Sequence, residues 1–126
     1  MVFLFALFTA LFLHASPTSD VPYTAVESAF VAGDASKIVA FGKNQLLLSV
    51  LDKDGAYSQS QSIQILKDFF TKKPATSFKF SFKGPTSDGA TAIGTYLSKG
   101  ENFRVTIKWD KLNSEFKIES ITISKS

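Results

Sequence analysis

Beyond Pro74 the apolar residues fall on every second position, and before it on every third or fourth. SFKFSFK (77–83) places Phe78, Phe80 and Phe82 on one side of an extended chain. NFRVTIKW (102–109) places Phe103, Val105, Ile107 and Trp109 on one side and Asn102, Arg104, Thr106 and Lys108 on the other. That period of two is the mark of half-buried strands. Turn-forming stretches, GPTSDG (84–89), SKGEN (98–102) and DKLNS (110–114), separate the runs and predict four antiparallel strands in a meander. In the last strand the phase slips, because Phe116 and Ile118 share one parity and Ile121 and Ile123 the other. A bulge near Glu119 and Ser120 would shift the phase and bend the sheet.

The first half reads differently. Ser19 or Asp20 ahead of Pro22 suits a helix start, and Val26, Ala29 and Phe30 share a side before Gly33 ends the helix. Asp34 is placed to cap a second, short helix carrying Ile38, Val39 and Phe41 and ending at Gly42. QLLLSVL (45–51) reads as a strand, and DKDG (52–55) as the turn after it. The aspartates of that turn superficially resemble a calcium loop, but the bidentate glutamate such a loop requires has no counterpart near Ile63. Ser58 followed by Gln61 forms a capping box, so the Ser/Gln-rich run opens a helix rather than a linker. Ile63, Leu66, Phe69 and Phe70, widened by Ile65, make its apolar face; Lys72 and Lys73 suit its negative end, and Pro74 stops it. The fold class is therefore α+β, a curved antiparallel sheet with three helices from the N-terminal half packed on its concave face.

The opening MVFLFALFTALFLHA (1–15) has no Asp, Glu, Lys or Arg. It is shorter than the roughly 20 residues that cross a bilayer, and it is followed by small and polar residues. It reads as a signal peptide cleaved after Ala15, leaving one domain over residues 16–126, exported to the periplasm or the extracellular space with no stable membrane insertion. The missing Lys or Arg ahead of the apolar run points to a start further upstream.

Composition removes several chemistries. The chain has no cysteine, so no disulfide, thiolate metal site or lipid-bearing cysteine is available. Its one histidine, His14, lies in the leader, which leaves the predicted domain without a histidine base, a nucleophile–histidine pair or a histidine-ligated metal. Phosphate loops, dinucleotide fingerprints and nucleophile elbows are missing too, and no cofactor or metal is expected. The net charge of +3 comes from lysines spread along the chain, and those in FKFSFK alternate with the phenylalanines rather than facing the same way. No nucleic-acid partner is expected.

The element order resembles the nuclear-transport-factor-2-like superfamily, a cystatin-like cone shared by ketosteroid isomerases, dehydratases and many non-catalytic domains. More narrowly, Gly55, Tyr57 and Ser58, QILKDFF (64–70) with Pro74, Phe78, AIGTY (92–96) and FRVTI (103–107) resemble an uncharacterised exported bacterial family, domain of unknown function 4783. The resemblance runs from about Tyr23 to Ile123. It implies a cone pocket, and Tyr23, Phe30, Phe69, Tyr96, Phe103 and Trp109 are the candidates to line it.

Catalytic relatives set an aspartate beside a tyrosine or histidine in that pocket. Here only a carboxylate with a tyrosine could serve, and the acids are poorly placed: Asp52, Asp54, Asp88 and Asp110 fall in turns, Glu119 near the bulge and Asp68 at the edge of a helix face. Glu27 alone could lean inward. The expected function is an exported, non-catalytic module binding a small apolar ligand or a partner protein. The alternative is a small isomerase- or dehydratase-type enzyme using a carboxylate and a tyrosine. Ile93 and Leu97, opposite in parity to Ala92, Gly94 and Tyr96, leave apolar surplus on the outer sheet face, where a homodimer is expected.

Overall fold

A computed structural model describes residues 20–126. The leader expected over residues 1–15, its cleavage point and Ser19 lie outside them. Helix α1 spans Tyr23–Ala32 and α2 Ala35–Ala40, strands β1 and β2 span Gly42–Val50 and Lys53–Ser58, and helix α3 spans Gln59–Lys72. Strands β3 (Ser77–Pro85), β4 (Gly89–Ser98), β5 (Glu101–Leu112) and β6 (Glu115–Lys125) complete the chain.

The helix boundaries follow local chemistry. Gly33 takes a left-handed φ of 67°, a conformation that carries little penalty without a Cβ. Its N–H donates to the Phe30 carbonyl while that of Asp34 donates to Ala29, a Schellman ending. The Asp34 carboxylate then accepts from Lys37 N at 3.1 Å and caps α2. Pro22, not Ser19 or Asp20, is the N-cap of α1, with no side-chain cap. At α3 the capping box is complete: Ser58 Oγ accepts from Gln61 N at 3.2 Å, and Gln61 Oε1 accepts from Ser58 N at 3.0 Å.

The sheet has six strands in the order β2-β1-β6-β5-β4-β3. It is mixed rather than wholly antiparallel, because β1 runs parallel to β6 while every other pair is antiparallel. DKDG is not a turn: Lys53, Asp54 and Gly55 belong to β2, and the connection is the pair Leu51-Asp52. Leu51 supplies the positive φ, 57°, that such tight hairpins usually draw from glycine. A leucine at that position hides the turn from sequence inspection.

Two bulges in the antiparallel pairs bend the sheet, and the parallel β1–β6 pair has a further register shift between Gly42 and Leu47. In β6 the pairing jumps from Lys108↔Ser120 to Trp109↔Ile118, leaving Glu119 extra, where the phase slip places it. In β3 the register jumps between Phe80↔Gly94 and Phe82↔Ile93, so Ser81 is extra and Phe82 turns to the outer face, 52% exposed. The expectation that Phe82 joins Phe78 and Phe80 on one face is corrected by this bulge. Inward, Phe103, Val105, Ile107 and Trp109 are all buried. They pack beneath α1 and α3 together with Phe30, Phe69, Phe70, Phe78 and Tyr96.

Candidate functional site

Of the six candidate pocket residues, Phe30, Tyr96, Phe103 and Trp109 are essentially inaccessible and Phe69 is 4% exposed. Tyr23 is half-buried. Their rings touch one another. Phe30 stacks on Phe78 at 4.7 Å and meets Phe70 edge-on at 5.6 Å, while Phe69 lies 5.3 Å from both Tyr96 and Phe103. Gly94 makes this closeness possible, because a Cβ there would stand 2.7 Å from the Phe78 ring. Such edge-to-face and offset pairs add to the area they bury.

The tyrosines have different surroundings. The Tyr96 hydroxyl donates to the Lys73 carbonyl at 2.6 Å, and burial pushes its pKa up to about 12. It locks the end of α3 to β4. Glu101 reinforces that end by accepting from Lys73 at 2.6 Å and pairing with Lys125 at 2.9 Å. Those ammonium groups, Lys125 first, hold its carboxyl down at about 2. Tyr23 lies at the other end of the ring cluster, 5.5 Å from Trp109 and 5.9 Å from Phe80, with Lys83 Nζ 5.0 Å above its ring. Desolvation raises its pKa. The Tyr23 hydroxyl and the Trp109 Nε1 are buried without a hydrogen-bond partner among the described residues.

Glu27 leans toward the sheet, where its Oε2 accepts from Phe80 N at 2.8 Å. It is engaged with the backbone of strand β3, and neither Tyr23 nor Tyr96 is hydrogen-bonded to a carboxylate among the described residues. Asp68 stays on the surface of α3, paired with Lys72 at 3.2 Å. Asp110 is held by the Lys43 ammonium, whose hydrogen bond lowers the carboxyl's pKa and raises that of the lysine. No group of three or more His, Asp or Glu is placed to hold a metal ion among the described residues.

Surface clefts lie elsewhere: the roomiest, of about 670 Å³, is lined by Lys43, Gln45, Gln59, Leu112, Lys117 and Glu119, and two smaller ones flank β2. A cleft of about 420 Å³ separates α3 from the β1–β2 turn, lined by Val50, Leu51, Lys53, Ile65, Asp68 and Phe69 among others. A second, of about 400 Å³, lies between Tyr57 and the first turns of α3, lined by Tyr57, Ser60, Gln61, Gln64 and Ile65. Gln64 and Ile65 border both, so the two form one groove alongside β2. Tyr57 lies flat along its strand, within 3.2 Å of where a Cβ on Gly55 would stand, and its hydroxyl donates to the Asp54 carbonyl at 3.2 Å. Of the six candidates only Phe69 lines this groove. Residue spacing does not mark this groove: DKDG (52–55) reads as a turn, and Lys53, Gly55 and Tyr57 show no apolar alternation.

The family model described as "Domain of unknown function (DUF4783)" matches residues 23–124. The chain belongs to the DUF4783 family. The DUF4783 chain is similar in structure to a family protein from Bacteroides ovatus, at TM-score 0.78 and 21% identity over 87% of this chain and 98% of that one. It is equally similar to one from Bacteroides uniformis, at TM-score 0.78 and 22% identity over 85% and 98%. An NTF-2 like protein of unknown function from Silicibacter pomeroyi matches at TM-score 0.62 and 12% identity over 82% and 88%. At such identities these likenesses show the fold, which is the nuclear-transport-factor-2-like, cystatin-like one. No curated protein matches.

Proposed function

We propose that this DUF4783 chain is an exported, non-catalytic module that works by binding, and that its occupant is a partner protein rather than a substrate undergoing turnover. The observation that carries the reading is the engagement of the groups a cone enzyme would need. Glu27 is bonded to Phe80 N, and the Tyr96 hydroxyl is bonded to a main-chain carbonyl with its pKa at about 12. General acid–base catalysis requires a group free to exchange protons near working pH. Export rests on the apolar leader over residues 1–15.

A small apolar ligand is the second occupant to consider. The buried, unpartnered Tyr23 hydroxyl and Trp109 Nε1 support it only for a ligand that carries a hydrogen-bond acceptor on its apolar body, since buried donors usually have acceptors. A homodimer through the outer sheet face accompanies the proposal: the bulge at Ser81 sets exposed Phe82 opposite half-buried Ile93, and a contiguous apolar patch often marks an interface.

Native mass spectrometry of the protein purified from its host tests all of this together. The expected mass is that of a chain beginning at Ser16, with a bound protein or a second copy. Turnover of an identified substrate that is lost in Glu27→Gln or Asp68→Asn, with circular dichroism unchanged, would sink the non-catalytic reading. A monomer by light scattering at high micromolar concentration would remove the dimer.

A further inference from the structure

The two outer strands of the sheet, β3 and β2, are finished differently. β3 carries a bulge at Ser81, ends in Pro85 and has its outward Phe80 N–H taken by Glu27. Each of these devices prevents another strand from adding to an edge. β2 has no bulge in its pairing with β1, contains no proline and lies at the end of the strand order. All of its residues are exposed except Tyr57.

The pairing defines which groups of β2 are free. A two-residue connection makes Val50 and Lys53 the hydrogen-bonded pair that closes the hairpin, and bonded and non-bonded pairs then alternate. Lys53, Gly55 and Tyr57 bond to β1, whereas Asp54, Ala56 and Ser58 direct N–H and C=O to the edge. Two side-chain bonds agree with this assignment: Ser58 N donates to Gln61, and the Asp54 carbonyl accepts from Tyr57. By the same alternation the N–H of Asp54 and both main-chain groups of Ala56 face the open edge, where no strand pairs with β2.

The groove lies beside this edge, on the face that carries Tyr57. Side chains of a strand alternate between faces, so same-face residues stand roughly 7 Å apart. One such residue of an added strand would meet the Tyr57/Ile65 cleft and the next the Leu51/Phe69 cleft. Three lysines, Lys53, Lys72 and Lys73, line the Leu51/Phe69 cleft against two aspartates, Asp52 and Asp68. Lys53 has no ion-pair partner among the described residues, and the whole chain carries +3. Leu51 is 46% exposed in a left-handed conformation at the rim, a costly arrangement for a residue with a Cβ.

We propose that β2 is a peptide-docking edge: an extended segment of a partner protein adds as a seventh strand, placing an apolar side chain in the Tyr57/Ile65 cleft and, two residues on, an acidic one toward Lys53. Main-chain bonds to Asp54 and Ala56 supply affinity and the clefts supply selectivity. This rests on the binding-module reading and gives its partner site.

The test uses the mature chain, ¹⁵N-labelled, and the probe Ac-Thr-Leu-Thr-Glu-Thr-Val-NH₂. Binding shifts the amides of Lys53, Asp54, Ala56 and Ile65 and slows exchange of the Ala56 amide by about tenfold or more at saturation. The same peptide with Lys for Glu binds about threefold or more weakly. Ala56→Pro removes the edge donor where proline is tolerated, so it abolishes binding while leaving the thermal midpoint close to that of the parent. Shifts confined to other surfaces, no shifts at millimolar peptide, or equal binding by Ala56→Pro would each overturn the edge site. A native partner that stays bound to Ala56→Pro would overturn the edge while leaving the binding-module reading standing. A substrate turned over by the same protein would remove that reading instead.

Discussion

Under β3, β4 and β5 the inner face of the sheet is built from rings, with Phe78, Phe80, Tyr96, Phe103 and Trp109 in mutual contact and with Phe30 and Phe69 pressed against them from the helices. Under β1 the same face presents Leu46, Leu48 and Val50. β2 adds Lys53, Gly55 and one tyrosine lying along its own strand. Leu46, Leu48 and Val50 are as buried as the rings, but Val50 and Leu51 also border the cleft beside α3. The aromatic half is packed, and the aliphatic half opens into the groove beside α3. Both halves share one buried core, and the clefts beside β2 lie at its aliphatic end.

The sharpest way to break this comparison is to remove a ring at its centre. Phe30→Ala should cost about 3–5 kcal/mol, the range for a fully buried aromatic, in urea or guanidinium unfolding. Ile65→Ala, at the half-buried wall of the groove, should cost about 1 kcal/mol. Equal losses would show that the two halves are alike. Gly94→Ala tests the packing without removing any atom. The new methyl would meet the Phe78 ring at 2.7 Å and the Lys79 carbonyl at 2.8 Å, and overpacking of this kind costs about 1–3 kcal/mol.

Glu27→Gln weakens a charge-assisted bond to Phe80 N and should lower stability by about 1 kcal/mol. Asp68→Asn, in an exposed pair with Lys72, should change it by less than about 0.5 kcal/mol. The smallest effect concerns pH. The Glu101 carboxyl is lowered from 4.5 to about 2 by Lys125 and Lys73. A depressed carboxylate stabilises the fold above its unfolded pKa, and that contribution is lost as pH falls from about 4.5 toward 2. Urea midpoints of the parent should therefore fall more steeply across this window than those of Glu101→Gln, and added salt should narrow the gap.

Much of the fold was legible because its signals are local. The capping box at Ser58 and Gln61, the glycine ending α1, the alternation in β5 and the phase slip at Glu119 each depend on a few neighbouring residues, and each appears where the sequence places it. The bulge in β3 was not legible, because Phe78, Phe80 and Phe82 alternate perfectly. Only pairing with β4 reveals that Ser81 is skipped. The candidate site was legible only in part. The ring residues could be named in advance, but neither their packing density nor the groove follows from spacing.

By itself, the sequence determined the order and kind of most elements, the absence of cysteine chemistry and of histidine after position 14, and the family signature running through Tyr57, Ser58 and QILKDFF. Only the tertiary structure decided that DKDG is largely strand, that β1 lies parallel to β6, that Glu27 is engaged with Phe80 N, and that the open groove borders β2. The reason is physical. Periodicity and capping are set within a few residues along the chain, whereas register, parallel pairing and the space left between side chains are set by contacts among residues far apart in it.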